Sequence, residues 1–183
     1  MCAWQTVAAQ KAQVQGAARP GGADALAAEI KAELGDDWLP SIYRTRILPL
    51  RTRAHQLPAI KERAEIVVQH TLLGVELKVG RTRLSCPDLA TARYLAVFVR
   101  LGAATVAVPY DITRTSPLAD ELESSWQRML LLIEHRASGR SPALRARVRR
   151  ILVAAVKQEI AEAGAGAAVP QFNQNTKQRS RRA

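Results

Sequence analysis

The sequence predicts an α/β protein: a small mixed β-sheet of about four strands with packed helices, and two C-terminal helices added. Three observations carry that expectation. Residues 64–109 pass from β-branched segments of period two to a single capped helical segment and back. Within them, Thr105–Val108 is apolar after its first residue, the pattern of a strand covered on both faces. Downstream, Ser116-Pro117 and Ser141-Pro142 each open a long helical stripe. A chain of 183 residues suffices for one real core. The expected organisation is an Ala-rich helical arm over 1–37, a single α/β domain over 38–163 and a disordered basic tail over 164–183.

Residues 1–19 are helix-permissive with weak periodicity, and Arg19-Pro20-Gly21-Gly22 ends any helix there. A short helix, roughly Ala25–Leu34, follows with Leu26, Ile30 and Leu34 on one face and Gly35 as its stop. Residues 41–53 partly alternate apolar and basic side chains, while Pro49 demotes them to an edge strand or two short pieces. Glu65–Gln69 and Leu73–Val79 read as strands. In the second, Val75, Leu77 and Val79 share one face, and Glu76 and Lys78 the other. Gly80-Arg81 turns the chain into a third strand, Thr82–Cys86. Pro87 suits the start of a helix over about Asp88–Leu101, which buries Leu89, Ala92, Leu95, Ala96 and Val99 and ends at Gly102. Strand, helix, strand gives a right-handed crossover if the two strands run parallel in one sheet. Leu118, Leu122, Trp126, Met129, Leu130 and Ile133 form the stripe of the next helix. The last helix carries Leu144, Val148, Ile151, Leu152, Ala155 and Ile160.

Twenty-seven Lys and Arg against sixteen Asp and Glu leave a formal charge of +11, which calls for nucleic acid, an anionic membrane face or an acidic partner. No run approaches the roughly 18 apolar residues of a membrane span, and the N-terminus lacks a secretory pattern. Cys2 and Cys86 stand outside any CxxC or Cys/His cluster. The expectation is a cytoplasmic protein without membrane association, disulfide or structural zinc. An organelle-targeting reading of residues 1–19 stays open, since they hold no acid.

Arg44, Arg46, Arg51 and Arg53 lie in the 41–53 segment with no acid among them. They read either as a solvated edge or as a phosphate-contacting strip. Arg145, Arg147, Arg149, Arg150 and Lys157 line one face of the last helix, and Arg179, Arg181 and Arg182 lie in the tail. Against nucleic acid stands the plainer reading of a soluble arginine-rich helix. Aromatics at 4% argue against a platform that stacks single-stranded bases. Nucleic-acid binding is the leading expectation. The competing one is a non-catalytic assembly protein whose basic surface meets an acidic protein or ribonucleoprotein, with an exposed apolar patch sought on the Leu118–Ile133 helix. A homo-oligomer stays open.

Glu65, the strand Val75-Glu76-Leu77-Lys78-Val79, the helix ending in Tyr94–Gly102 and the strand Thr105–Val108 follow one another in an order with a known counterpart. The arrangement resembles the PD-(D/E)XK nuclease-like superfamily, particularly the small archaeal-type Holliday-junction resolvases. The resemblance covers roughly residues 64–109. Glu65 stands where that family carries its defining aspartate, and Glu29 or Glu33 takes the place of its acidic helix. It implies a metal-dependent nuclease with Glu65, Glu76 and Lys78 as catalytic residues, or an inactive relative. Glu65 and Glu76 would hold Mg²⁺, which lowers the pKa of a bound water and polarises the phosphate. Lys78 would orient that water or stabilise developing charge. Read from the residues alone, an E-x-K strand is also an ordinary solvated, salt-bridged face. His55, His70 and His135 have no partners at ligand spacing. Cys86 reads as a buried structural cysteine, Asp111 as the cap of a turn and Asp120 as the cap of a helix.

Overall fold

The computed structural model describes residues 22–59, 65–72 and 74–166. Helix α1 (Ala23–Leu34) buries Leu26, Ile30 and Leu34 together with Ala23 and Ala27, and Gly35 closes it at φ +51°. It packs against the last helix of the chain, so this part of the Ala-rich arm belongs to the core. A 3₁₀ turn, Gly35–Asp37, leads into α2 (Leu39–Ile42), which continues as a π-helical turn over Tyr43–Ile47.

The strand expected within 41–53 therefore gives way to helix over its first half. Pro40 sits in the first turn of α2, where a missing N–H is no loss. Ile42, Tyr43 and Ile47 all turn inward, with Ile42 and Ile47 at the five-residue spacing of a π turn. An edge strand begins only beyond Pro49, as β1 (Thr52–Gln56).

The mixed α/β class holds, with five strands in two antiparallel sheets. β2 (Ile66–Thr71), β3 (Gly74–Val79) and β4 (Thr82–Cys86) form a meander. β1 pairs with β5 (Thr105–Pro109) in the second sheet. Since β4 and β5 share no sheet, the condition for a parallel crossover is not met. Helix α3 (Leu89–Leu101) instead carries the chain from one sheet to the other.

Local chemistry sets the ends of α3. The Asp88 carboxylate accepts hydrogen bonds from Thr91 N at 2.7 Å and Thr91 Oγ1 at 2.9 Å, and Gly102 ends the helix at φ +70°. Leu89 is exposed, against expectation. It occupies the first helical position, ahead of the Ala92, Leu95, Ala96 and Val99 stripe.

Val106, Ala107 and Val108 are fully buried, as a strand covered on both faces requires. Bonds from Tyr110 N to Arg51 O and from Leu57 N to Ala104 O continue the β1–β5 ladder at alternate positions. That alternation turns the Ala107 peptide groups away from β1. Ala107 N donates to the Tyr43 hydroxyl (2.9 Å), and the Tyr94 hydroxyl donates to Ala107 O (2.6 Å). Two phenols thus close the edge of β5 that no strand covers. Both rings pack on Phe98, with centroids 5.6 and 5.1 Å away.

Helix α4 (Ile112–Arg136) starts earlier than Ser116-Pro117, because Asp111 caps it by accepting from Thr113 N at 2.9 Å. Pro117 lies inside the helix. Helix α5 (Pro142–Ala163) starts where expected, with Ser141 as its cap. The chain then returns to the β1–β5 sheet. The Tyr43 hydroxyl donates to Gly164 O at 2.7 Å, and Gly166 lies so close to Thr52 that a Cβ there would sit 2.3 Å from Oγ1. Among the described residues no helix is long and apolar enough to cross a membrane.

Candidate nucleic-acid interface

Alternation along β3 sends Val75, Leu77 and Val79 toward α3 and leaves Glu76 and Lys78 on the opposite face. The register sets Glu76 between Gln69 and Ser85, and Lys78 between Val67 and Arg83. Glu76 accepts from Gln69 Nε2 at 3.3 Å and pairs with Arg83 at 3.6 Å. Glu65 lies just before β2, where its carbonyl accepts from Gly80 N at 2.8 Å. Glu65 and Glu76 are therefore separated by the run from residue 76 to residue 80, about 13 Å along the strands. Side chains standing perpendicular to a sheet at that separation do not share one cation, whose oxygen ligands lie at about 2–2.6 Å. The fold brings Glu76 and Lys78 onto one face and leaves Glu65 apart from Glu76. No cluster of three His, Cys, Asp or Glu suited to a metal occurs among the described residues. Of the two acids considered on α1, Glu33 pairs with Arg136 at 2.7 Å, and Glu29 is exposed.

The basic residues divide into those the fold uses and those it leaves over. Arg44 donates to the Glu159 carbonyl (3.3 Å) and pairs with its carboxylate (3.5 Å). Arg46 pairs with Glu121 (2.6 Å), Arg145 with Glu134 (2.6 Å) and Arg147 with Asp24 (3.4 Å). Glu159 also receives Lys31 (2.6 Å) and Trp38 Nε1 (3.2 Å), which ties α5 to α1 and α2. Burial pushes its carboxyl up, but the bonds from Lys31 and Trp38 and the charges of Lys31 and Arg44 outweigh that and hold it below the ordinary glutamate value.

Arg149 and Arg150 are exposed and make no ion pair with a described residue. The Lys157 ammonium is likewise without a carboxylate. It lies 3.7 Å from where a Gly102 side chain would begin, at the α3 C-terminus, whose dipole favours a cation. Arg51 and Arg53 meet no acid either. Both guanidinium carbons sit over the Tyr110 ring, 5.1 and 5.9 Å from its centroid. Arg179, Arg181 and Arg182 lie outside the described residues.

Tyr110 is the residue that sequence reasoning passed over. Its signal was its place, immediately after a buried strand and across from the arginines of β1, and only the β1–β5 pairing reveals that. Beside it, His55 Nε2 is buried without a partner among the described residues. Burial first, then Arg53, lowers the His55 pKa, so the imidazole is neutral at pH 7. Burial pushes the Cys86 thiol up, which suits a structural cysteine. Asp111 caps α4 and not a loose turn, and Asp120 caps nothing but pairs with Arg93 at 2.8 Å. The apolar stripe of α4 is spent inside the core: Leu118, Leu122, Trp126, Met129 and Ile133 are buried, leaving Leu131 and Ile112 outside. No contiguous apolar patch forms on that helix.

Fold and surface together define a basic mixed α/β protein with one two-stranded and one three-stranded antiparallel sheet. Compared with family models, with curated proteins and with solved structures, the chain matches none of them.

Proposed function

We propose that the protein binds nucleic acid through the cations that its fold leaves unpaired: Arg51, Arg53, Arg149, Arg150 and Lys157, joined by Arg179, Arg181 and Arg182 of the sequence that follows. One observation carries the reading. After the internal ion pairs are made, exposed guanidinium groups remain on β1 and α5 with no carboxylate beside them, on a chain of formal charge +11. Unbalanced like charges repel one another, and a polyanion removes that repulsion while releasing its own counterions. An acidic protein would answer the charge as well, but the apolar patch that such an interface needs at its centre is missing from α4.

The reading is one of binding. Cleavage through Glu65, Glu76 and Lys78 with Mg²⁺ would require the two carboxylates to approach each other from their places in the ladder. The experiment is fluorescence anisotropy with labelled single-stranded, duplex and branched DNA and RNA over a salt series, with and without Mg²⁺ or Mn²⁺. Binding that weakens as salt rises, without cleavage, is the expected result. Metal-dependent cleavage lost in Glu76→Ala would establish a nuclease instead. Absence of binding at moderate salt would remove nucleic acid and leave the acidic protein partner.

A further inference from the structure

The antiparallel ladder sets Arg51 directly across from Tyr110, whose amide donates to the Arg51 carbonyl at 3.1 Å, and Arg53 across from Val108. Residues facing each other across a ladder project to the same side, and alternate residues share a side. Both guanidinium groups therefore come over one phenol ring, and the ring stays 41% exposed although Val106 and Val108 of the same strand are buried. Each cation is attracted to the ring, within the roughly 6 Å over which such contacts act. They also repel each other, and no described carboxylate compensates either one. The nearest acid in the chain, Asp111, is held by Thr113 N and Thr113 Oγ1 at 2.9 and 2.7 Å as the cap of α4.

Building on the binding reading, we infer that Arg51, Arg53 and Tyr110 form a stacking site for an unpaired base, which makes single-stranded nucleic acid the preferred ligand. A base supplies the flat π surface that an exposed aromatic lacks, and the phosphate next to it supplies the charge that the two guanidinium groups lack. A duplex offers the phosphates but keeps its bases stacked inside. An acidic peptide offers charge without a ring. The contact needs no base-specific hydrogen bond, so it tolerates any sequence. Gly166 rests against Thr52, the residue between the two arginines, so residues 167–183, with Lys177, Arg179, Arg181 and Arg182, set out from beside the site.

The test compares a labelled oligothymidylate of about 12 nucleotides, within the range of single-strand site sizes, with an abasic deoxyribose-phosphate strand of equal length and charge. The full chain should bind the oligothymidylate about 5- to 30-fold more tightly than the abasic strand, as one stacked base implies. Tyr110→Leu should bring the two affinities together without weakening the abasic strand, and Tyr110→Phe should keep the preference. Equal affinity for both strands in the unaltered protein would overturn the inference and leave general binding standing. So would a preference that survives Tyr110→Leu, or competition by polyglutamate as effective per charge as the oligothymidylate. Failure to bind either strand at any salt concentration would remove the binding reading with it.

Discussion

At Ala107 the hydroxyl groups of Tyr43 and Tyr94 stand in for a neighbouring strand, since one receives the amide hydrogen and the other donates to the carbonyl. Removing one oxygen leaves a buried peptide group with neither water nor a partner. Tyr94→Phe should cost about 1–3 kcal/mol, read from urea denaturation, and Tyr43→Phe also strips the bond to Gly164 O. Burial raises the pKa of both phenols, and that of Tyr94 goes well above the ordinary value. Below about pH 10 the phenols are protonated folded and unfolded alike, and they add no pH dependence. Above it the unfolded chain loses protons that the folded one keeps, so stability falls as pH rises toward the folded values. The double Phe variant should be weaker at neutral pH and flatter in alkali. Parallel alkaline curves for variant and parent would contradict that account. None of this was legible beforehand: Tyr43 sat in a segment read as strand, and the hydrogen bond joins residues far apart in sequence. The cap at Asp88 and the stop at Gly102 were legible, because a cap is a matter of neighbours three residues away.

At the scale of elements, the end of α5 is part of the sheet's cover. Gly166 has φ +81° and no room for a Cβ beside Thr52, whereas Gly139, at φ +72° between α4 and α5, faces nothing within 4 Å. Gly139→Ala should cost only the backbone penalty of about 1–2 kcal/mol. Gly166→Ala should cost a further 1–3 kcal/mol or so for the steric conflict, unless the segment lifts off Thr52. Equal urea midpoints for the two variants would mean that the segment contributes nothing. The strands of the meander and the two last helices followed from period and start signals. The pairing of β1 with β5 did not. A helix and a complete three-stranded sheet separate them in sequence, and nothing local in TRAHQ or TVAVP names the other as partner. The polar face of β3 shows the same division: Glu76 and Lys78 fall together through period two, while the distance of Glu65 depends on ladder register.

Charge belongs to the whole molecule. The basic segments were plain in the sequence, but which cations would be free was not, because Arg44 and Arg46 find Glu159 and Glu121 on helices that the sequence places far downstream. Such exposed pairs add about 0–1 kcal/mol each, yet they decide which surface keeps its positive field. The direct test is the slope of log K against log salt for single-stranded DNA, measured on two double variants that remove the same charge. Arg149→Gln with Arg150→Gln takes away unpaired cations, and Arg46→Gln with Arg145→Gln takes away paired ones. The account predicts that the first pair reduces the slope by about two, close to one per lost phosphate contact, while the second leaves it within error of the parent. Equal losses in both pairs would show that net charge alone drives association and would contradict the division drawn here.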